Sequence, residues 1–183
     1  MENKKKITMR FKEFLFEVTK TDIKTLKKSM PLQKVKHSKR VANLIKLLTT
    51  SQDVHNAALY HDFLERGGNI DVLKNKISLY SIKLVEFLTY YDNDIKLSKN
   101  KSLDILKDRF KDIDTKTKND IIEIKICDRI DNLIRKKELN KLTDKYLIKS
   151  EELINFLISS YDGRKSLLIN FIQSNFPEIL EKA

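Results

Sequence analysis

The sequence is poor in the residues that make turns and cross-links. It has 183 residues but only three glycines, two prolines, one cysteine and no tryptophan. A sheet-rich fold needs many turns that contain Gly or Pro, so the shortage of both favours helices. The single cysteine, Cys127, excludes an internal disulfide and is typical of a reducing compartment. We therefore expect an all-α protein of the cytoplasm.

Long hydrophobic runs are missing as well. The basic N-terminus is followed by apolar residues, but Lys12, Glu13 and Glu17 interrupt them. A secretory signal needs an unbroken apolar stretch of ~7–15 residues, and a membrane-spanning helix needs ~20. The sequence therefore predicts no signal peptide, no membrane span and no membrane partner.

The charge is predominantly of one sign. The formal net charge is +11, which favours anionic partners such as nucleotides or nucleic acid. Only 7 of the 37 basic residues are arginines, and the lysines are spread over the whole chain. Nucleic-acid-binding proteins more often cluster arginines with aromatic residues on one surface. A solvated lysine surface is the better interpretation, and nucleic acid is the less favoured partner.

Apolar residues recur three and four positions apart along most of the chain, which is the spacing of amphipathic helices. No internal repeat, low-complexity segment or linker divides them, and a chain of this length suits one domain. We expect a helical bundle over residues 1–183, with a polar loop at 91–101 that is long enough to border a site. The predicted helices cover residues 9–20, 20–28, 33–48, 54–66, 70–77, 79–91, 103–110, a long helix from 115 or 119 to 134, 145–161 and 166–172.

Four polar residues interrupt the apolar faces of these helices. His37, His61 and Asp128 fall on the inward faces of three different helices, and Asp62 follows His61 directly. Buried imidazoles and carboxylates are costly unless paired, and a metal ion is one way to pair them. Two nitrogen and two oxygen ligands suit a divalent ion of the manganese, iron, cobalt or nickel series. A lone histidine is more often a core or surface residue, so the prediction depends on all four together.

The chemistry that fits such a site is hydrolysis of a phosphoester. A bound divalent ion lowers the pKa of its water and screens the phosphate charge. The sequence has no phosphate-binding glycine loop, no Gly-x-Ser-x-Gly and no cysteine cluster that would indicate another reaction. Glu65 lies four residues after His61 and shares its predicted helix face, so it is the candidate catalytic base.

Five further residues are candidates for substrate binding, each with an alternative role. Lys28 and Arg40 would suit substrate phosphates, or they belong to the solvated surface. Arg66 would bind a phosphate, or it stabilises the negative end of its helix dipole. Asn132 lies one turn after the aspartate of the third helix and either faces the site or cross-links helices. Tyr146 would line the pocket or fill the core.

Three segments together match a known pattern. They are HSKRVA at residues 37–42, AALYHD at 57–62 and KICDRIDNL at 125–133. The order His, His-Asp, Asp resembles the HD-domain superfamily of metal-dependent phosphohydrolases, over about residues 8–160, with the C-terminal helices of 161–183 packing on that core. The third segment is most similar to the alarmone hydrolases of the RelA/SpoT type, whose equivalent segment reads roughly Lys-Leu-Ala-Asp-Arg-Leu-x-Asn.

The resemblance carries expectations beyond the residues themselves. It implies a single HD-type helical domain that binds Mn²⁺ through His37, His61, Asp62 and Asp128. The implied reaction is removal of the 3′-pyrophosphate from ppGpp or pppGpp. It also implies that Asn132 contacts the nucleotide.

Two departures from the alarmone hydrolases keep other functions open. In that branch an acidic Glu-Asp pair follows the His-Asp motif, whereas here Glu65 is followed by Arg66, which cannot act as a base. The basic entry before the first histidine is also poorly matched by residues 27–33. The alternatives are an HD-type nucleotidase or phosphodiesterase for another nucleotide, and a degenerate HD module that binds nucleotide or RNA without catalysis.

Overall fold

The protein is all-α. A computed structural model describes residues 20–89, 91–92, 95–96 and 102–179. The helix predicted over residues 9–20 lies, except for its last residue, outside this range. The described α-helices are α1 Lys20–Ser29, α2 Leu32–Ile45, α3 Gln52–Tyr60, α4 Ile70–Lys74, α5 Leu79–Leu88, α6 Ser102–Arg109, α7 Thr115–Glu138, α8 Asp144–Ser160 and α9 Lys165–Asn175.

Within the described ranges, strand structure is confined to one short pairing, in the segment predicted as a loop. Strands β1 Tyr91–Asp92 and β2 Ile95–Lys96 pair antiparallel. Among the described residues, single-turn 3₁₀ segments at Leu64–Arg66, Phe110–Asp112 and Pro177–Ile179 supplement the α-helices. Among the residues that the structure describes, none of the helices is both long and apolar enough to cross a membrane.

Helix α7 runs through the centre of the bundle. Every residue from Ile121 to Cys127 is buried, so this part of the helix is surrounded on all sides. Helices α2, α3 and α5 pack on it from one part of the chain, and α8 and α9 from another. Polar side chains of this stretch are therefore withdrawn from bulk water, whereas Asp128, which follows it directly, is half-buried.

Side-chain caps explain where several helices begin. The oxygen of Asp114 accepts a hydrogen bond from the Thr117 amide at 2.9 Å, which starts α7. Ser78 accepts one from Ser81 at 3.0 Å and starts α5. Such bonds satisfy amide groups that have no partner within the helix. The predicted start of α5 agrees with the structure, and of the two starts predicted for α7, at residues 115 and 119, the structure has the first.

The ends of several helices were predicted wrongly: those predicted at residues 77 and 91 lie at Lys74 and Leu88, and two others differ as well. The helix predicted over residues 33–48 ends at Ile45, and the one predicted to reach residue 66 ends at Tyr60. Residues 61–63 form turns after Tyr60, and Leu64–Arg66 is a 3₁₀ segment. The 3₁₀ segment ends at Gly67, which takes the left-handed conformation with φ of 83°. The sequence pattern gives no warning of the earlier break, since apolar residues keep a helical spacing through it.

Gly67 offers a test of this turn. A Cβ on Gly67 would meet no atom of the described residues within 4 Å, so its substitution carries only a conformational cost. Gly67→Ala should lower the free energy of unfolding by ~1–2 kcal/mol, the cost of a left-handed L-residue. Gly67→Asn should lose less, because asparagine tolerates this conformation better. Chemical denaturation of the three proteins measures the difference. Equal losses for Ala and Asn would contradict the conformational explanation.

Candidate metal centre

Three of the four predicted metal ligands meet between α2, α3 and α7. His37 lies on α2, His61 follows the last residue of α3, and Asp128 lies on α7. One ligand atom from each residue falls within 4.8 Å of the other two. The Nε2 atoms of His37 and His61 lie 3.0 and 3.7 Å from Asp128 Oδ1. The two imidazole rings meet edge to face, with centroids 5.1 Å apart.

The tautomer of His61 is set by a backbone carbonyl. Its Nδ1–H donates to the carbonyl oxygen of Ala58 at 2.8 Å, and that oxygen can only accept. In the neutral ring Nε2 therefore carries the lone pair. Nε2 is buried and has no hydrogen-bond partner among the described residues. Buried polar atoms are rarely left in this state, and a metal ligand is one explanation for such an atom.

His37 is held from both sides by carboxylates of α7. Nδ1–H donates to Asp131 Oδ2 at 2.7 Å, while Nε2 lies 3.0 Å from Asp128 Oδ1. Burial by itself lowers the pKa of His37, but the contacts with Asp128 and Asp131 outweigh it and raise the pKa to about 9. Burial opposes ionisation of Asp128 as well, but the bond with His37 holds the pKa of this carboxyl well below its ordinary value.

These residues fit a divalent ion. Ligands ~2.0–2.2 Å from one ion lie roughly 3–4 Å from each other, and the measured separations of 3.0 and 3.7 Å fall in that range. Two imidazole nitrogens and a carboxylate oxygen form the mixed ligand set that first-row divalent metals accept. The unpartnered Nε2 of His61 supports the same assignment.

Asp62 lies beside this group rather than inside it. Its Oδ1 is 3.6 Å from His61 Nε2. Its Oδ2 is 3.2 Å from Lys34 Nζ and 3.6 Å from the guanidinium Nη2 of Arg66. Burial raises the pKa of Asp62, but nearby positive charges, with His61 the largest and Lys34 next, outweigh it and lower the pKa. The predicted role of Asp62 as a fourth ligand stays a prediction.

A cavity of about 660 Å³ opens over the cluster. It is lined by the predicted residues Glu65, Arg66, Asn132 and Tyr146, as well as by the four predicted ligands. Cationic side chains dominate the rest of its polar wall: Lys34, Lys125, Arg129, Lys136 and Lys149. Acidic residues in the lining, besides the candidate ligands and Glu65, are Asp104 and Glu152. The cavity therefore suits an anionic ligand that is larger than a single phosphate.

Asn132 holds the candidate ligand of its own helix. Its amide nitrogen donates to Asp128 Oδ1 at 2.7 Å and to the Asp128 backbone carbonyl at 2.8 Å. The bond fixes the rotamer of the carboxylate that faces both histidines. Asn132 also lines the cavity. Its amide oxygen takes no part in these two bonds, and its predicted contact with a nucleotide stays a prediction.

Tyr146 carries two cations on its ring. The guanidinium carbon of Arg129 lies 5.3 Å from the ring centroid and Lys136 Nζ lies 4.4 Å from it. Arg129 also donates to the hydroxyl of Ser150 at 3.3 Å. The ring therefore lines the pocket, which is one of the two roles considered from sequence, and it also holds positive charge at the cavity wall.

The structure does not bring two of the predicted substrate-binding residues to the cavity. Lys28 is exposed and Arg40 is half-buried, and neither is among the described residues that line the cavity. The Arg40 guanidinium instead donates to Asp131 from Nε at 2.6 Å and from Nη2 at 2.9 Å. Arg40 lies one helical turn after His37, but its guanidinium pairs with the buried carboxylate of Asp131, which lies opposite it on α7.

Sequence reasoning missed most of the cationic wall. Lys125, Arg129, Asn132 and Lys136 are spaced three and four residues apart, which is the spacing of one helix face. That spacing could have been read as a basic stripe beside Asp128. Lys34, three residues before His37, could have been found in the same way. Asp131 could not, because its contacts cross from α7 to α2.

Comparison with known proteins adds no relative. No family model, no curated protein and no solved structure matches this chain. The resemblance to HD-domain phosphohydrolases therefore rests on the three sequence segments and stays a prediction.

The metal centre makes a direct prediction about ion content. Protein loaded with Mn²⁺ and desalted should retain one ion per chain, measured by elemental analysis. His61→Ala and Asp128→Ala should each remove it, because both take away a ligand atom of the cluster. His55→Ala is the matched control, since His55 precedes His61 by only six residues but is not among the described residues lining the cavity. Retention of the ion by the two ligand variants would contradict the assignment.

Proposed function

We propose that this protein is a metal-dependent phosphohydrolase of the HD type that acts on a phosphorylated nucleotide. The observation that carries the proposal is the buried Nε2 of His61, which has no hydrogen-bond partner among the described residues. It lies 3.7 Å from Asp128 Oδ1, and His37 Nε2 lies 3.0 Å from the same oxygen. A cluster of ligand atoms at the base of a cationic cavity supports hydrolysis of a phosphate ester more than it supports any other chemistry.

The residues of the cluster have distinct roles in this proposal. His37, His61 and Asp128 would hold the ion, which when bound lowers the pKa of a coordinated water and screens phosphate charge. We expect this ion to be Mn²⁺. Asn132 holds Asp128 in its rotamer through the 2.7 Å bond to Oδ1. Asp62 is close enough to join them if its partners Lys34 and Arg66 are drawn to a substrate anion.

Glu65 is the candidate general base. It lines the cavity, and it belongs to the 3₁₀ segment that follows the turn after His61. A carboxylate there can accept a proton from an attacking water. The neighbouring Arg66 cannot take this role, because a guanidinium stays protonated at every physiological pH.

The cations of the cavity support a substrate with more than one phosphate. Lys34 and Arg66 lie beside Asp62, close to the cluster. Arg129 and Lys136 lie against Tyr146, and Lys149 is on α8. Guanidinium groups bind phosphate oxygens through two parallel hydrogen bonds, and ammonium groups act as point charges. Positive charge in two places along one cavity suits a nucleotide with phosphates at two positions.

The first-choice substrate is ppGpp or pppGpp, cleaved to release the 3′-pyrophosphate. The choice rests on the similarity of residues 125–133 to the alarmone hydrolases. The second candidate is an HD-type nucleotidase or phosphodiesterase that acts on another nucleotide. It is favoured by the contact between Arg66 and Asp62, since the alarmone branch has a carboxylate where Arg66 stands.

A substrate panel tests the proposed function. With Mn²⁺ present, the purified protein should convert ppGpp to GDP and pyrophosphate, and removal of the ion by a chelator should stop the reaction. His61→Ala serves as the control for a contaminating hydrolase. Cleavage of deoxynucleoside monophosphates without cleavage of ppGpp would favour the second candidate. A protein that binds nucleotide and Mn²⁺ but cleaves no member of the panel would be a degenerate binding module.

Glu65 gives the sharpest test of the chemistry. General-base assistance contributes ~10²–10⁴-fold in rate, so Glu65→Gln should lower kcat by about that factor while Mn²⁺ is retained. Glu151→Gln is the matched control, because Glu151 is similarly half-buried but is not among the described residues lining the cavity. Steady-state kinetics and ion content are measured on the same samples. Unchanged turnover in Glu65→Gln would exclude Glu65 as the base.

A further inference from the structure

Asp131 is a buried carboxylate with no place in the ligand cluster. Its side chain is 5 % exposed. Oδ1 accepts a hydrogen bond from Arg40 Nε at 2.6 Å. Oδ2 accepts one from Arg40 Nη2 at 2.9 Å and one from His37 Nδ1 at 2.7 Å. Both oxygens are thus engaged, and the orientation of the carboxylate is fixed.

The bond to His37 determines which ring nitrogen can bind a metal ion. A neutral imidazole carries one proton, and the nitrogen without the proton is the ligand. Without an ion, both carboxylates accept from a protonated His37. With an ion on Asp128, His37 would keep a single proton, which the Asp131 carboxylate can only accept at Nδ1, and the lone pair would be left on Nε2. Nε2 is the atom that lies 3.0 Å from Asp128 Oδ1 in the cluster.

His61 reaches the same state by a different acceptor. Its Nδ1–H donates to the Ala58 carbonyl, which leaves the lone pair on Nε2 as well. Two histidines from separate helices are therefore held in one tautomer by two unrelated acceptors. A contact that served only to join α2 and α7 would not need to match the tautomer of His61.

We propose that Asp131 is a positioning residue, which holds His37 in the tautomer required for metal binding, and that Arg40 anchors Asp131. Metal-bound histidines in proteins generally donate their second N–H to a carboxylate or carbonyl, and loss of such a partner weakens the site ~10–100-fold. The inference rests on the proposed metal centre but not on the identity of the substrate.

Asp131→Asn is the informative variant, because it keeps the shape of the side chain. Its amide oxygen should turn to Arg40, which can only donate. Its amide NH2 then faces His37 Nδ1 and donates to it, so the imidazole proton moves to Nε2 and occupies the ligand atom. The dissociation constant for Mn²⁺, measured by titration calorimetry, should rise ~10–100-fold.

The double variant Arg40→Ala/Asp131→Asn separates tautomer control from packing. Without Arg40 the amide can rotate and present its oxygen to His37 Nδ1. Mn²⁺ binding should then recover part of what Asp131→Asn lost, although the double variant has fewer α2–α7 contacts. A packing role predicts the reverse, since removal of further contacts should weaken the site further.

Glu123→Gln is the matched control on the same helix. Glu123 is buried, its Oε1 accepts from the Tyr161 hydroxyl at 2.6 Å, and it is not among the described residues lining the cavity. Its substitution should leave the Mn²⁺ dissociation constant unchanged. Unfolding temperatures of all variants are compared with that of the unsubstituted protein.

The outcomes distinguish this inference from the proposed function. Wild-type affinity in Asp131→Asn, or a double variant weaker than Asp131→Asn, overturns the inference and leaves the metal centre intact. Absence of Mn²⁺ binding in the unsubstituted protein overturns both. If Asp131→Asn does not fold, Arg40→Ala decides, because it keeps the acceptor at Nδ1. A folded Arg40→Ala protein should still bind Mn²⁺, and complete loss of binding would overturn the inference.

Discussion

The crossing of α2 and α7 buries a histidine between two carboxylates, and the rest of the candidate site depends on this contact. Removing charged groups from water costs several kcal/mol per ion unless each lone pair and proton finds a partner. The crossing meets that condition, because Asp131 receives three hydrogen bonds and Asn132 supports Asp128. Once His37 and Asp128 are fixed in this way, only His61 has to be added to complete a set of three ligand atoms.

The cavity is close to electrical balance in spite of the strongly basic chain. Its lysines and arginines are offset by carboxylates that lie near the ligand cluster, and Lys34 and Arg66 already share Asp62. A metal ion held by the ligand cluster would add positive charge beside these carboxylates. A divalent ion would therefore make the cavity clearly positive and increase its attraction for phosphate. Metal and substrate binding are coupled electrostatically in such an arrangement, since neither charge is neutralised well without the other.

Apolar periodicity predicted where most of the helices lie but not where several of them end, and exceptions to it singled out the candidate ligands. His37, His61 and Asp128 are conspicuous in the sequence because each stands where a leucine or isoleucine is expected. Arg40 shows the limit of such reasoning, because its partner lies 91 positions away on another helix. Contacts between distant helices depend on their crossing, which periodicity does not describe. Asp131 was overlooked for the same reason.

The early end of α3 explains how His61 comes to face the other candidate ligands. The last four carbonyls of an α-helix have no amide donor within the helix, and because α3 ends at Tyr60 these include the carbonyl of Ala58. This carbonyl accepts from His61 Nδ1 and so directs Nε2 toward Asp128. Had the helix continued to Gly67 as its apolar spacing suggests, the Asp62 amide would have bonded to that carbonyl in the interior of the helix. The failure of the helix prediction and the geometry of the ligand therefore have one cause, the turn at residues 61–63.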